Sequence, residues 1–454
     1  MPPETTYEVI CMKYILVIGD GMADNPVPQL GGKTPMQAAE TPVMDSLAAA
    51  GIVGSVVNCP KPLPAGSETA ILSIFGCDPL QYFTGRAPQE AAALGIKLKD
   101  GDVCYRCNLV AMEDGDMPYE EKKILSHSAG SISAEDALAV IDILNSNEEF
   151  RAVLDAADME LYPVPTFRPL AVCHKGGRCG FNLIPPHDHL GEKCGPLLPC
   201  AQVQEDHGTG KGSEVQNGET SVCSGDAKTE TLRKRAGTYT DIQRTANRVL
   251  ENHPFNIARK ASGKLPANGV WLWAEGTAVS LPDFKAQYGC SGAVVSAVPI
   301  VHGIGVLRGL EMVEVEGATG EIDTNFEGKM EATWAKLQEY DFVCLHLEAP
   351  DECTHNGDLP GKVQAITWLD SRLVAPIVER LRAAGEDFRM LIVSDHKTLT
   401  ATRGHDGDPA PFLIYDSRKD SGTSRKVSFD EETCEKGEFI DSGCTLLDML
   451  FELK

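Results

Sequence analysis

Three apolar segments of the sequence each end close to an acidic side chain that can bind a metal ion. These segments are 14–19, 342–347 and 390–394. In an open parallel sheet, ligands gather at the carboxyl ends of the strands, so residues far apart in the chain can meet there. Carboxylates and neutral imidazoles at such an edge suit two adjacent divalent ions such as manganese or zinc. The candidate ligands are Asp20, Asp351, His355, Asp395, His396 and His405.

The spacing of these side chains indicates which of them can lie next to each other. Asp351 and His355 are four residues apart, which places them on one face if the segment is helical. Asp395 and His396 are adjacent at a predicted strand end, and His405 lies in a sequence typical of a loop. Each pattern alone is more often a surface pair or a solvated side chain. Together, at three strand ends, they favour a metal site.

Ser67 is the candidate nucleophile. It follows Gly66 and precedes the segment 68–72, at which we predict that a helix begins. A serine hydroxyl attacks phosphorus at neutral pH only when a base or a metal lowers its pKa. At a helix N-terminus beside a metal, both the helix end and the ion would stabilise phosphoryl oxygens. The alternative is that Ser67 is simply the N-cap of that helix.

The whole-chain composition limits the classes of partner. The 454 residues predict two or three folded units. Lys+Arg 41 against Asp+Glu 66 gives a net charge of -25, which argues against nucleic-acid and anionic-membrane binding. The amino terminus lacks a secretory signal, and no apolar run reaches the ~20 residues that a membrane helix needs. The 15 scattered cysteines are therefore expected to be reduced thiols of a cytoplasmic protein.

Alternating βα signals predict an α/β fold with a mostly parallel sheet and an inserted domain. We expect a discontinuous core of residues 12–84 and 271–454, because candidate ligands lie on both sides of the insertion. Residues 85–270 form the inserted α+β domain, and residues 1–11 a loose extension. Within the insertion, 200–238 is nearly free of large apolar side chains and is predicted to be flexible.

The order of the candidate ligands and several local sequences resemble a known family. That family is the archaeal-type 2,3-bisphosphoglycerate-independent phosphoglycerate mutases, which belong to the alkaline phosphatase superfamily of two-metal phosphotransfer enzymes. The resemblance extends from about residue 12 to 415 and implies an alkaline-phosphatase-like fold. The motifs that carry it are GDGMAD at 19–24, LGGKTP at 30–35, TGRAPQEA at 84–91, RCN at 106–108, VEGATG at 315–320 and EAPDE at 348–352.

The resemblance also implies an activity. Ser67 would accept the phosphoryl group of 3-phosphoglycerate, and the 2-hydroxyl of the resulting glycerate would take it back while the inserted domain excludes water. The substrate is a small phosphorylated hydroxy acid, and no organic cofactor is needed. Two divalent ions are implied, manganese or zinc first, with magnesium or cobalt as further candidates. One ion would be held by Asp20, Ser67, Asp395 and His396, and the other by Asp351, His355 and His405.

Four polar residues in or near these motifs are candidate substrate ligands. Arg86 and Arg106 have guanidinium groups that match a phosphate or a carboxylate bidentately, although each would serve equally well in a structural ion pair. Asn108 is a candidate for orienting the substrate or a neighbouring carboxylate. Lys329 is a further candidate, and its alternative is a solvated helix residue.

Three other polar residues have two alternative roles each. His187 and His189 look like metal ligands but lie inside the predicted insertion, where ordering a loop is the favoured role. Lys397 follows Asp395-His396, at a position where the family usually has a small residue or proline. It would either add a cation beside the phosphate site or face solvent.

Two other functions would use the same ligands. A phosphatase, or a phosphotransferase acting on homoserine or another small hydroxylated acid, needs the same metals and nucleophile. A non-catalytic scaffold stabilised by metal is the third alternative, and the presence of Ser67 argues against it. The mutase is the predicted function.

Overall fold

The computed structural model of this chain describes residues 12–174, 181–201, 227–422 and 427–453. Strands and helices alternate along much of this part of the chain, which confirms the predicted α/β class. The described strands are β1 Lys13–Gly19, β2 Ile52–Val56, β3 Val103–Met112, β4 Ile124–Ser126, β5 Met159–Tyr162, β6 Leu170–Cys173, β7 Phe181–Asn182, β8 Cys200–Ala201, β9 Gly269–Thr277, β10 Gly292–Val295, β11 Glu311–Val313, β12 Phe342–Leu347, β13 Phe388–Val393, β14 Lys397–Leu399, β15 Gly404–Asp406, β16 Ala410–Asp416 and β17 Glu438–Ile440.

The α-helices are numbered in the same way. They are α1 Pro35–Ala38, α2 Pro42–Ala50, α3 Ser67–Ile74, α4 Pro79–Tyr82, α5 Arg86–Ala93, α6 Ala134–Ser146, α7 Glu148–Ala156, α8 Ala227–Leu250, α9 Pro254–Ala261, α10 Phe284–Tyr288, α11 Pro299–Leu307, α12 Phe326–Glu339, α13 Ala349–His355, α14 Leu359–Trp368, α15 Ala375–Ala384, α16 Glu431–Glu435 and α17 Leu446–Phe451.

The described chain forms two compact units. The first comprises the described residues of Met1–Phe83, Ala92–Ile96 and Val279–Lys454, and the second those of Thr84–Ala91 and Lys97–Ala278. The predicted return to the core at residue 271 is therefore too early. The reason is that β9 is hydrogen-bonded to β3, and a strand cannot be divided from the partner that satisfies its backbone groups.

An eight-stranded sheet forms the centre of the first unit, in the order β11-β10-β12-β1-β13-β16-β2-β17. Neighbouring strands from β11 to β13 run parallel, and β17 is parallel to β2. Strand β16 is antiparallel to both of its neighbours. The sheet is mostly parallel, as continuous apolar strand sequences predict.

The three strands that carry candidate ligands are adjacent at the middle of this sheet. Strand β1 lies between β12 and β13, with Ile18 beside both His346 and Val393. Because the three strands are parallel, their carboxyl ends share one edge of the sheet. Residues that follow these strands are thus brought together although the chain between them is long.

Both faces of the sheet are buried. Along β1, Ile15 and Val17 pack into one hydrophobic cluster, and Leu16 and Ile18 pack into another on the opposite face, all at 0% exposure. The alternation follows from the two-residue period of a strand. Each such side chain contributes roughly 1.5–3 kcal/mol of burial free energy, so the strand ends are held on a rigid layer.

The second unit is an α+β domain with its own core. Its main sheet has the order β4-β3-β6-β5, and β9 pairs with the other side of β3. All of these pairs are antiparallel. Helices α6, α7 and α8 contribute buried residues such as Val140, Phe150 and Tyr239 to its main hydrophobic cluster.

The prediction of a flexible segment over 200–238 is wrong for part of its length. Residues 202–226 lie outside the described residues, but from Ala227 onward the chain forms α8. Leu232 packs against the core of the second unit, and Ala236 is buried in it. Leu232 and Ala236 are four residues apart, so they lie on the same face of α8 and extend its apolar face towards the N-terminus. Burial of this face outweighs the polar composition of the segment.

Two further features of the described residues are the state of the cysteines and the character of the helices. Each cysteine that the structure describes is a free thiol, and most of these thiols are buried. The longest helix in the described ranges is α8, and neither it nor any other helix there has the length and apolar character needed to cross a membrane.

Candidate metal centre

Asp20 lies at the centre of the candidate site. It is the first residue after β1, and it is fully buried. Its Oδ2 accepts hydrogen bonds from Ser67 Oγ at 3.3 Å and from His346 Nε2 at 3.0 Å. Its Oδ1 lies 3.5 Å from His396 Nε2. One carboxylate therefore joins the candidate nucleophile to a side chain of β12 and to one that follows β13.

Ser67 is the first residue of α3, and its side chain is nearly buried. Gly66, not Ser67, holds the N-cap position, so the N-cap alternative is wrong. The Oγ atom is 3.3 Å from Asp20 Oδ2 and also 3.3 Å from His396 Nε2. The positive end of the helix favours an anion at this point. The hydroxyl thus lies at a helix N-terminus, within hydrogen-bond distance of a carboxylate and an imidazole.

Asp395 and His396 follow β13 at a turn that is fixed by several hydrogen bonds. Asp395 Oδ1 accepts from the backbone N–H of Gly21 at 3.0 Å and from that of His396 at 2.8 Å. Asn58, for which the sequence analysis predicts no role, donates through Nδ2 to the carbonyls of Ser394 and Asp395 at 3.2 and 2.8 Å. The remaining carboxylate oxygen, Oδ2, points to His396 Nε2 at 3.2 Å.

Asp351, His355 and His405 form a second cluster next to the first. Helix α13 places His355 one turn after Asp351, as the spacing predicts, with 3.1 Å between Nε2 and Oδ2. His405 Nε2 is 3.4 Å from Asp351 Oδ1. His405 was predicted in a loop, but it lies in β15, because residues 404–406 pair with β14. The seven predicted ligands are thus connected by short distances.

Two imidazoles of this cluster face each other through their Nε2 atoms at 2.9 Å. The Nδ1 of His355 is 2.8 Å from the carbonyl of Arg403, and the Nδ1 of His405 is 3.3 Å from that of Ala65. A carbonyl oxygen only accepts, so Nδ1 carries the hydrogen in each ring and Nε2 of a neutral ring has a lone pair. Two lone pairs at this distance repel, so a proton or a metal ion must lie between the rings. The geometry fits a metal ion.

Buried carboxylate oxygens point to the same conclusion. Asp20 Oδ1 and Asp395 Oδ2 have no hydrogen-bond donor among the described residues. Such oxygens are costly inside a protein unless a cation compensates them. One ligand atom from each of Asp20, Asp395 and His396 lies within 4.8 Å of the others, and the same holds for Asp351, His396 and His405. The residues present therefore suit divalent cations with oxygen and nitrogen ligands.

The carboxylates strongly influence one another's protonation. Burial raises the pKa of Asp20 well above its usual value, and the charges of Asp395 and Glu348 raise it further. Burial and the charge of Asp351 raise the pKa of Glu348 to about 7. Burial alone would raise the pKa of Asp351 as well, but hydrogen bonds from His355 and His405 outweigh it and lower that pKa. Asp20 and Glu348 therefore stay ionised together more readily when a cation compensates their charge, and they otherwise tend to hold a proton.

Sequence reasoning missed two residues of this site, His346 and Glu348. The Nδ1 of His346 is 3.2 Å from Ser296 Oγ, and its Nε2 is 3.0 Å from Asp20 Oδ2. Glu348 Oε2 lies 3.7 Å from the same Nε2. His346 could have been recognised from the sequence, because burial of a histidine inside the apolar strand β12 is unfavourable unless a polar partner faces it. Both residues help to fix Asp20.

Lys329, a predicted substrate ligand, is fully buried in α12, so its alternative as a solvated residue is wrong. Its Nζ donates to the carbonyl of His346 at 2.9 Å. Burial lowers the pKa of Lys329 to about 8. The lysine thus supports the strand that leads to the site, and substrate binding stays a prediction.

The pKa of Lys329 predicts a pH effect on stability. In the unfolded chain the pKa is 10.5, so between that value and about 8 the unfolded chain binds more protons than the folded one. The free energy of unfolding of the wild type should therefore rise with pH in this window, relative to that of Lys329→Met, by about 3 kcal/mol. Urea titrations of metal-free protein at pH values on either side of the window measure it. Lys285→Met, which removes an exposed lysine from α10, is the matched control; a pH-independent difference between wild type and Lys329→Met would contradict the expectation.

The other predicted substrate ligands belong to the second unit. Arg106 is nearly buried, forms two hydrogen bonds with Glu90, and lies over the ring of Trp273 at 5.1 Å. Arg86 lies 3.7 Å from the same glutamate. Asn108 donates to the carbonyl of His127 at 2.9 Å and accepts from the Trp273 indole at 2.8 Å. These contacts show structural pairing, and substrate binding stays a prediction for all three.

The remaining polar candidates have local partners. His187 lies 3.6 Å from Asp188, and His189 lies 3.2 Å from Glu192, in and beside a short 3-10 helix, Pro186–His189. Lys397 does not face solvent, because it is only 8% exposed, and its Nζ donates to Asn25 Oδ1 at 3.3 Å.

Gly21 allows the close approach of three elements of the site and predicts a large substitution effect. Its φ of 58° is left-handed, and an added Cβ would lie 2.6 Å from Asp351 Oδ1. Gly31 has a φ of 69° but open space within 4 Å, so Gly31→Ala costs only the backbone strain of about 1–2 kcal/mol. Gly21→Ala should cost about 1–3 kcal/mol more than this control and should lower metal retention. Urea unfolding of both variants measures the difference, and equal losses would contradict it.

Proteins of known sequence and structure resemble this chain over nearly its whole length. Residues 12–453 match the family described as the Metalloenzyme superfamily. The chain is 39% identical over 426 residues to the 2,3-bisphosphoglycerate-independent phosphoglycerate mutase of Methanosarcina barkeri, covering 94% of this chain and 96% of the relative. It is 40% identical over 444 residues to the enzyme of the same name from Methanosarcina acetivorans, covering 97% and 100%. A solved structure of a protein from Pyrococcus horikoshii is similar with a TM-score of 0.73 and 27% identity, covering 98% of each chain.

Proposed function

This chain belongs to the 2,3-bisphosphoglycerate-independent phosphoglycerate mutase family of the metalloenzyme superfamily, and we propose that it interconverts 3-phosphoglycerate and 2-phosphoglycerate. The observation that carries the proposal is the position of Ser67. Its Oγ lies 3.3 Å from both Asp20 and His396 at the edge where three parallel strands end. A nucleophile beside a cation-binding cluster is what phosphoryl transfer needs.

We propose that the site holds two divalent ions, manganese or zinc. The support is the donor set, which contains carboxylate oxygens without a hydrogen-bond donor and imidazole Nε2 atoms that face each other. When bound, the ions supply positive charge that lowers the pKa of the Ser67 hydroxyl and stabilises phosphoryl oxygens. The proposed ligands of one ion are Asp20, Ser67, Asp395 and His396, and those of the other are Asp351, His355 and His405.

The proposed transfer has two balanced steps. Ser67 Oγ loses its proton and forms a bond to phosphorus while the bond from phosphorus to O3 of the substrate breaks, and O3 takes up a proton. This leaves a phosphoserine and glycerate. In the second step O2 of glycerate loses its proton and bonds to phosphorus, Ser67 Oγ leaves, and the serine regains a proton. The phosphoryl group has moved from O3 to O2 without consumption of water or nucleotide.

The residues around Ser67 have defined tasks in this proposal. Asp20 Oδ2 lies 3.3 Å from Oγ and can take its proton, whereas Nε2 of His396, at the same distance, is proposed to bind a metal ion. The N-terminus of α3 faces the phosphoryl oxygens. Ser67 is only 8% exposed, which limits the access of water to a phosphoserine at this position. Hydrolysis would turn a mutase into a phosphatase.

The substrate is proposed to be a small phosphorylated hydroxy acid. Because the chain has a net charge of -25, such an anion must be held by local positive groups. The bound ions serve the phosphoryl group. Arg86, Arg106, Asn108 and Lys329 stay the proposed ligands for the rest of the molecule.

The test is the conversion of 3-phosphoglycerate by purified protein without nucleotide or bisphosphoglycerate. We expect phosphorus NMR to show an equilibrium mixture of the 3- and 2-phosphates in the presence of Mn²⁺. Treatment with a chelator should stop the reaction, and added Mn²⁺ should restore it. Strict dependence on ATP would overturn the proposal in favour of a kinase, and accumulation of inorganic phosphate alone would overturn it in favour of a phosphatase.

A further inference from the structure

Thr398 contacts one residue from each of the two proposed ligand sets. It lies in β14 and is fully buried. Its Oγ1 is 2.6 Å from Asp351 Oδ1 and 3.2 Å from His396 Nδ1. Asp351 belongs to the proposed ligands of one ion, and His396 to those of the other. A single hydroxyl therefore lies between the two sets.

The hydrogen bonds of this hydroxyl can run in only one direction. An ionised carboxylate only accepts, so the one hydroxyl hydrogen of Thr398 goes to Asp351 Oδ1. The oxygen is then free to accept, and the hydrogen on its other side must come from His396 Nδ1. A neutral imidazole with its hydrogen on Nδ1 has its lone pair on Nε2. That Nε2 faces Ser67 Oγ at 3.3 Å.

The position of Thr398 is itself fixed on three sides. Its backbone N–H donates to the carbonyl of Ala23 at 3.1 Å. Its carbonyl accepts from the buried Lys362 Nζ at 2.6 Å, and the same Nζ pairs with Asp24 at 3.0 Å. Across the β14–β15 pair, Thr398 is the partner of His405. The hydroxyl thus has little freedom to move away from its two partners.

We propose that Thr398 is a positioning residue that couples the two metal-ligand sets. Its hydroxyl holds His396 in the tautomer that presents Nε2 to the site, and at the same time it orients the carboxylate of Asp351. Groups that orient metal ligands in this way commonly change metal affinity by about 10–100-fold when they are removed. Because one hydroxyl contacts both ligand sets, its loss should weaken the binding of both ions together. The inference rests on the two-ion site of the proposed function.

The experiment compares Thr398→Val and Thr398→Ala, which lack the hydroxyl, with Thr398→Ser, which keeps it. Each protein is loaded with Mn²⁺ and titrated with a chelator, and the retained metal is measured by mass spectrometry without substrate. We expect the Thr398→Val and Thr398→Ala proteins to lose both ions at a chelator concentration about 10–100-fold lower than that needed for the wild type. Thr398→Ser should retain both ions as the wild type does.

The controls separate positioning from general damage. Thr367→Val removes a hydroxyl that donates to the carbonyl of Val363 at 3.0 Å in α14, outside both ligand sets, and it should leave metal retention unchanged. Unfolding curves of the metal-free proteins show whether each variant is folded. If Thr398→Val does not fold, the comparison of Thr398→Ala with Thr398→Ser carries the test, since these two differ by the hydroxyl alone.

Three results would overturn the inference. The first is wild-type metal retention in the variants that lack the hydroxyl. The second is the loss of one ion while the other is unaffected, and the third is equal loss in Thr398→Ser. Failure of the mutase proposal is separate, because it shows in the substrate assay while metal retention follows the pattern above. A wild-type protein that binds a single ion would contradict both the two-ion site and this inference.

Discussion

Replacement of Ser67 by alanine is expected to lower phosphoryl transfer by at least about 10⁴-fold while most of the bound metal remains. The hydroxyl forms the bond to phosphorus in the proposed reaction. Thr398, whose hydroxyl also contacts His396, donates its hydrogen to Asp351 and lies on the Nδ1 side of the ring, so it is not an equivalent nucleophile. The metal should remain because the carboxylate and imidazole ligands are untouched. Conversion of 3-phosphoglycerate followed by phosphorus NMR, together with metal analysis of the same sample, measures both effects.

Ser46→Ala is a suitable control for this variant. Ser46 is an exposed residue of α2 in the same unit, and its Oγ donates only to the nearby carbonyl of Val43 at 2.7 Å. Activity and metal content should both stay at the wild-type level. Substantial transfer by Ser67→Ala would remove the basis for a phosphoserine intermediate. A loss of metal as large as the loss of activity would show that Ser67 acts mainly as a ligand.

Asp395→Asn is expected to lower bound metal and activity together. The substitution keeps the size of the side chain but removes the negative charge and one oxygen acceptor. Asp395 Oδ2 is among the buried oxygens that lack a donor, so an amide there would face the cation without a compensating charge. The affinity for the ion that Asp395 is proposed to bind should fall by more than about 100-fold. Loss of a ligand has a larger effect on metal affinity than loss of a group that orients a ligand.

Asp408→Asn provides the matched control, since Asp408 is an exposed carboxylate in the segment that follows His405. It should change neither metal content nor turnover. The two variants are compared by metal analysis after dialysis and by initial rates over a range of added Mn²⁺. Recovery of Asp395→Asn activity at high Mn²⁺ would be consistent with weakened binding. An inactive Asp395→Asn with full metal content would instead mean that this carboxylate serves the chemistry and not the binding of metal.

The strands that carry the site could be predicted from the sequence because their signal is local. Continuous apolar runs of five or six residues identify β1, β12 and β13, and parallel strands in an α/β fold share one ligand-binding edge. Asp20 and Asp395 could then be chosen because they follow these strands directly. The spacing of Asp351 and His355 was sufficient in the same way, since a helix brings such residues together.

The residues that orient these side chains could not be predicted, because their roles depend on three-dimensional neighbours. Thr398 is an ordinary strand residue until Asp351 and His396 are placed on either side of it. Lys329 reads as a surface lysine because its helix, α12, carries many charged residues, yet its stem is buried. The boundary after β9 likewise depends on a pairing with β3 that no local pattern reveals.

The order of strands in the sheet has a consequence for biosynthesis. Strand β1 is made early, but its two neighbours come from the last third of the chain, with Tyr14 beside Phe342 on one side and Arg389 on the other. Pairing across so many residues is slow, and unpaired strand edges invite association with other chains. On the ribosome, β1 must wait until nearly the whole polypeptide has emerged. Premature termination before Arg389 would therefore leave a product whose strand β1 lacks one neighbour. That product would also lack the proposed metal ligands Asp395, His396 and His405.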